Sequence, residues 1–104
     1  MKEKREAARE DGGMRTVTIT VRGRGQGVGF RHALQDAAER AGVDGWARNR
    51  RDGTVEAVLR GDHEAVATVL RWASAGPSAA RVDDVDIVET DDDAASGFEI
   101  RPTA

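Results

Sequence analysis

The stretch Gly23-Arg24-Gly25-Gln26-Gly27-Val28-Gly29-Phe30-Arg31 restricts the possible folds most tightly, because alternate glycines suit neither a helix interior nor a sheet interior. Before it runs Thr16-Val17-Thr18-Ile19-Thr20-Val21-Arg22, in which Val17, Ile19 and Val21 share one face of a strand. After it, Ala33, Leu34, Ala37, Ala38 and Ala41 follow the spacing of one apolar helix face, and Gly42 closes the helix. A strand therefore passes through a glycine-rich loop into a helix. Such a junction suits an anion. Glycines let consecutive N–H groups point into one concavity, and the first helical turn adds free N–H groups at the positive end of the helix dipole. The guanidinium of Arg31 adds a fork able to grip two oxygens of one phosphate.

The loop alone is a weak signal. It lacks the Gly-Lys-Ser/Thr ending of a Walker loop, and the third glycine of the dinucleotide spacing is replaced by Val28, Phe30 or His32 in each register. On glycine content alone, a flexible connection with a solvated arginine is an equal reading. The 104 residues suffice for one domain with a single core. A net charge of −3 argues against a general nucleic-acid binder, which would concentrate basic residues on one face. There is no cysteine, which excludes disulfides, thiol catalysis and cysteine-ligated metals. No apolar run approaches a membrane span or a signal-peptide core, so the cytoplasm is the default compartment and no membrane partner is expected.

Residues 1–13 are dominated by Lys2, Glu3, Lys4, Arg5, Glu6, Arg9, Glu10 and Asp11, and read as a charged, disordered or frayed extension, with Met14 a possible start of the domain. Past the first helix, residues 43–49 read as a strand, Arg50-Arg51-Asp52-Gly53 as a tight connection with an Asp-Gly signal, and residues 54–60 as the returning strand. Gly61-Asp62 opens a second helix, with Asp62 as the expected N-cap, and Val66, Val69, Leu70 and Ala73 form its buried stripe. Gly76 and Pro77 end it. Val82, Val85, Ile87 and Val88 mark a fourth strand whose broken alternation suggests a bulge. After the acidic loop of Asp91, Asp92 and Asp93, Phe98-Glu99-Ile100 forms a short edge strand stopped by Pro102. The order strand–helix–strand, strand–helix–strand predicts an α+β, ferredoxin-like split βαβ sandwich: an antiparallel sheet of four to five strands with two helices on one face.

Two motifs in this order resemble the acylphosphatase family. The family signature is close to Gly-x-Val-Gln-Gly-Val-x-Phe-Arg, matched here by Gly23 to Arg31. A second element, Gly-Trp-x-x-Asn followed by Asp-Gly-x-Val-Glu, is matched by Gly45-Trp46-Ala47-Arg48-Asn49 and Asp52-Gly53-Thr54-Val55-Glu56. The resemblance covers residues 14–104 and implies an acylphosphatase-like domain there. It also implies hydrolysis of small-molecule acyl phosphates to a carboxylate and inorganic phosphate, without metal or cofactor. By the same resemblance, Arg31 clamps the phosphoryl group, the backbone N–H groups of Gln26, Gly27, Val28, Gly29 and Phe30 form the phosphate-binding loop, and Asn49 positions the attacking water. Inorganic phosphate or sulfate is expected to fit the same site, and the protein is expected to act as a monomer. One position departs from the pattern: Gly25 stands where the family usually has valine. Glycine widens the unliganded ensemble of the loop, so a looser anion cradle is expected.

The chemistry agrees with this parts list. A carboxylate leaving group is stable as an anion at neutral pH and needs no general acid, so the protein has only to hold the phosphoryl group, neutralise its charge and aim a water in line. Two readings compete with an enzyme. A catalytically weak or inactive anion-binding module on the same fold would not require the water-orienting amide of Asn49. A single-strand nucleic-acid binder would need spaced aromatics and a basic face, and neither is visible. His32 and His63 read as surface residues, Trp46 and Trp72 as packing, Arg48, Arg50 and Arg51 as a solvated turn, and Asp83, Asp84 and Asp86 as the wet face of a strand.

Overall fold

The computed structural model describes residues 13–24, 29–77, 80–90 and 96–104, the side chain of Arg24 excepted. The elements follow the chain as β1 (Met14–Arg24), α1 (Phe30–Ala41), β2 (Asp44–Asn49), β3 (Val55–Asp62), α2 (His63–Ala75), β4 (Arg81–Glu89) and β5 (Phe98–Ile100). They form one sheet in the order β4-β1-β3-β2-β5. The β1–β3, β1–β4 and β2–β3 pairs are antiparallel, as the alternating sequence predicts, whereas β5 runs parallel to β2 and makes the sheet mixed. The predicted extension at 1–13 lies outside the described residues except for Gly13, as do Gln26, Gly27, Val28 and Gly25 of the loop.

One face of the sheet carries the core. Val17, Ile19 and Val21 of β1 oppose Leu59, Ala57 and Val55 of β3, and all six are buried. Directly paired residues point to the same side, so this row defines the helix-covered face. From α2, Val66, Val69, Leu70 and Ala73 are buried against it, the stripe read from the sequence. From α1, the buried residues are Phe30, Leu34 and Ala38. The predicted stripe is thus shifted in part, because Ala33 and Ala37 instead line a groove toward Val69, Trp72 and Pro77 of the neighbouring helix region, and Ala41 both lines that groove and packs on the core. Phe30 and Leu34 carry most of the apolar attachment of α1, about 1.5–3 kcal/mol each. Phe30 also packs on Trp72, ring centroids 5.5 Å apart. The first residue of α1 is therefore pinned, and Arg31 follows it directly.

The opposite face is open but not bare. Trp46, buried at 9% exposure, lies under the guanidinium groups of Arg48 (5.0 Å) and Arg101 (4.4 Å). At the far edge Arg22 pairs with both Asp86 and Asp84, so these carboxylates form the exposed strand face expected for them. Hydrogen bonding to Arg22 holds the Asp86 carboxyl below its ordinary range, and the same contact raises Arg22. The expected bulge is present: Arg22 pairs with Asp84 and Gly23 with Val82, which leaves Asp83 as the extra residue of β4.

Two local readings are corrected. Asp62 occupies the N-cap of α2, but its side chain makes no capping bond. The N–H of His63, the first residue of the helix, donates to the Gly13 carbonyl at 2.7 Å, which the Met14–Asp62 pairing brings alongside. Arg48 and Arg50 are not merely solvated either. Both donate to Glu56 Oε1, at 2.8 and 3.0 Å, because the hairpin register sets Arg48 opposite Glu56. The hairpin is closed by Asp52, whose carboxylate accepts the Thr54 hydroxyl (2.7 Å) and N–H (3.0 Å), bonds that hold its pKa down.

Candidate active site

At the start of α1, Gly29 is the N-cap in the left-handed region (φ 83°, ψ 23°), a conformation that a side chain would oppose. The first intrahelical bond runs from the Ala33 N–H to the Gly29 carbonyl at 3.0 Å. The N–H groups of Phe30, Arg31 and His32 precede it and lie at the positive end of the helix dipole. No acidic residue occupies this first turn to quench that charge. Arg31 is half-buried. Its Nη1 donates to the Arg101 carbonyl at 3.5 Å, a long contact, and it pairs with no carboxylate among the described residues.

Asn49 ends β2. Opposite Val55, which itself opposes Val21, it stands on the helix-covered face and is buried at 9% exposure. Its Oδ1 is buried and has no hydrogen-bond partner among the described residues. A buried polar atom left this way is costly, and such atoms recur at catalytic sites or where a water completes the set. Its main-chain carbonyl accepts the Ala104 N–H at 3.0 Å. The Arg101 N–H donates to the Ala47 carbonyl at 2.8 Å, so residues 101–104 continue along β2 beyond β5. Arg31 therefore reaches the same short segment that flanks Asn49. Among the described residues, a cation with no carboxylate partner at the start of α1 and a buried amide oxygen with no hydrogen-bond partner at the end of β2 thus both adjoin residues 101–104.

Of the residues read as a site, the structure describes Arg31, Asn49, Gly29 and Phe30. Arg31 and Asn49 each contact residues 101–104, and Gly29 as N-cap and Phe30 as first helical residue precede Arg31 directly. Gln26, Gly27 and Val28 lie outside the described residues. His32 and His63 are exposed, as expected.

A sequence model of the acylphosphatase family matches residues 17–100. The chain belongs to the acylphosphatase family. It is 52% identical over 88 residues to the acylphosphatase of Thiobacillus denitrificans, which covers 85% of this chain and 98% of that protein. Among solved structures, the acylphosphatase from Coxiella burnetii superposes with a TM-score of 0.83 at 31% identity, covering 88% of this chain and 96% of that one. The acylphosphatase from Bacillus subtilis gives 0.78, also at 31% identity, over 85% and 98%. These likenesses span the sheet and both helices, so the ferredoxin-like α+β sandwich of the family is the fold of this acylphosphatase-family chain.

Two features around the end of β2 were not read from the sequence. The Arg48–Glu56–Arg50 cluster was legible in principle, since the Asp-Gly turn fixes the hairpin register and with it the Arg48–Glu56 pair. The run of 101–104 along β2 gave no such signal, because Pro102 reads locally only as a stop.

Proposed function

We propose that this protein hydrolyses acyl phosphates to a carboxylate and inorganic phosphate, with Arg31 as the phosphoryl clamp and Asn49 as the group that orients water. What supports the reading is that Arg31, half-buried and paired with no carboxylate among the described residues, contacts the Arg101 carbonyl in the same 101–104 segment that bonds the Asn49 main chain, and that the buried Asn49 Oδ1 has no hydrogen-bond partner among those residues. Arg31 would neutralise charge on the phosphoryl oxygens, together with the N–H groups of the first turn of α1 and of Gln26, Gly27 and Val28 in the preceding loop. The Asn49 amide would accept one hydrogen of a water and leave its oxygen lone pair directed at phosphorus. The water oxygen forms the new P–O bond as the bond to the acyl oxygen breaks, and the carboxylate leaves with the electron pair. The water proton passes to a phosphate oxygen, since an amide is too weak a base to keep it.

The acyl end of the substrate meets none of these groups, so the reading specifies a phosphoryl chemistry and a carboxylate leaving group. The protein would act in water as a monomer, and among the described residues no helix is long and apolar enough to cross a membrane. Release of phosphate from benzoyl phosphate, with a chelator present and with Arg31→Ala alongside, tests the proposal. Chelator-resistant hydrolysis that falls by about 10²–10⁴-fold in the variant is expected, by analogy with loss of a single electrostatic donor. Phosphate binding without hydrolysis would replace the enzyme by an anion-binding module. Activity that vanishes with chelator would remove the metal-independent mechanism.

A further inference from the structure

Residues 101–104 touch both halves of the site, and neither contact belongs to a regular element. The Arg101 carbonyl accepts from Arg31 Nη1 at 3.5 Å, and three residues later the Ala104 N–H donates to the Asn49 carbonyl at 3.0 Å. The strap is fastened beyond the site as well. The Arg51 N–H donates to the Ala104 carbonyl at 2.8 Å, and the Arg101 N–H to the Ala47 carbonyl at 2.8 Å. Its side-chain anchor lies on the other face of the sheet, where the Arg101 guanidinium rests over Trp46 at 4.4 Å and donates through Nε to Glu99 Oε2 at 3.1 Å. Sealing an open sheet face would need only that side chain. The paired main-chain bonds on either side of Asn49 have a different consequence: they fix the backbone from which the amide projects.

We propose that residues 101–104 form a positioning strap that holds the Asn49 amide and the Arg31 guanidinium in mutual register for phosphoryl transfer. This inference rests on the roles proposed above for those two residues. Oriented catalysis is sensitive to displacement, and a shift of about 1 Å can cost on the order of 10²-fold in rate. A strap that hydrogen-bonds the strand residue itself controls orientation directly. Removing one bond at a time separates its two ends.

Ala104→Pro deletes the N–H that reaches Asn49, and the extended backbone needed before a proline is compatible with a chain running along a strand. The expected result with benzoyl phosphate is a kcat lower by roughly tenfold, with the inhibition constant for inorganic phosphate within about twofold of wild type. Ala104→Gly, which keeps the N–H, should return kcat toward wild type. Arg101→Ala removes the anchor over Trp46 and is expected to act at the other end, raising the phosphate inhibition constant several-fold. Arg101→Lys, which can still place a cation over the ring, should recover most of it. Asn49→Ala and the double variant Asn49→Ala/Ala104→Pro complete the set. If the strap acts through Asn49, the double variant is no slower than Asn49→Ala alone. Multiplying losses, an Ala104→Pro enzyme with wild-type kcat, or a joint fall in kcat, phosphate affinity and unfolding midpoint would each overturn the strap. If Asn49→Ala itself keeps full turnover, the roles proposed for the site fail instead.

Discussion

Leucine would be the better residue at position 49 if stability were the only demand on it. The side chain is buried at 9% exposure on the core face, beside Val55, and its Oδ1 has no hydrogen-bond partner among the described residues. An unsatisfied buried acceptor costs about 1–3 kcal/mol, and replacing it by apolar atoms of similar shape removes that cost. Burying the added hydrocarbon contributes at most about 1.5–3 kcal/mol more. Opposing both is the penalty for overpacking, about 1–3 kcal/mol when extra bulk is forced into a filled core. Taking the middle of each range, with the burial gain as an upper limit, the balance makes Asn49→Leu about 1–2 kcal/mol more stable. At about 4–8 °C per kcal/mol for a domain near this size, a Tm increase of several degrees is expected.

Turnover should move the other way. Asn49→Leu removes the amide proposed to orient the water, and kcat should fall by about 10²-fold or more, as when a single preorganised polar group is removed. Inhibition by inorganic phosphate should persist, since Arg31 and the first turn of α1 are unaltered. Thermal unfolding followed by circular dichroism, kcat on benzoyl phosphate and the phosphate inhibition constant form the assay. A Tm lowered by more than about 4 °C would mean that Oδ1 makes a satisfied bond in the folded protein. Undiminished turnover would mean that the amide has no part in the chemistry. A simultaneous loss of phosphate inhibition would mean that Asn49 binds the phosphoryl group rather than the water.

Gly45→Ala should leave little folded protein, because its Cβ would sit 1.8 Å from the Val58 carbonyl oxygen, a backbone atom of the paired strand, at φ 145°; a loss above about 4 kcal/mol in urea unfolding is expected. Acid should weaken the fold through Asp86, Asp52 and Glu89, whose carboxyls are lowered by hydrogen bonds from Arg22, Thr54 and Arg15 respectively. Their folded pKa values lie below the unfolded ones, so their contribution is complete above the ordinary carboxylate range and is lost as pH falls through the lowered values. The urea midpoint should therefore hold from about pH 7 to about pH 5 and fall below about pH 4, modestly because these groups are exposed. Gly25→Val should tighten the anion cradle, and an unchanged phosphate inhibition constant and catalytic efficiency would refute the expectation of a loose loop.

The sequence disclosed the parts whose causes are local. Alternation placed β1, the stripe of Val66, Val69, Leu70 and Ala73 set the buried face of α2, and the Asp-Gly signal located the β2–β3 hairpin. The partial miss on α1 has a packing cause. Alanines at helical spacing suit either a sheet or a second helix, and here Ala33 and Ala37 face the groove toward α2, Ala41 lines it while also packing on the core, and Phe30, Leu34 and Ala38 take the core. Asp62 does stand at the N-cap of α2 but makes no side-chain capping bond, while the first N–H of the helix, that of His63, is satisfied by the non-local Gly13 carbonyl. Motif resemblance supplied Arg31 and Asn49, and spacing alone would not have linked them, since their shared contact with residues 101–104 depends on sheet order.

That order explains how a buried amide oxygen with no partner among the described residues can be tolerated. Asn49 is the last residue of β2, where the ladder to β3 ends at Val55, and on the other edge the parallel partner β5 is only three residues long. A strand end with so little pairing would ordinarily fray, and a frayed end would expose Oδ1 to solvent and relieve its cost. The bonds from Ala104 to Asn49 and from Arg51 to Ala104 oppose that release. A position that stability alone would give to leucine thus keeps an amide, held in a buried setting by chain that follows the regular strand. The resulting tension predicts a specific dependence: in a variant ending at Pro102, Asn49→Leu should stabilise less than it does in the full chain, because the frayed amide would already have found water. Equal gains in the two backgrounds would show that the strap does not keep the amide buried.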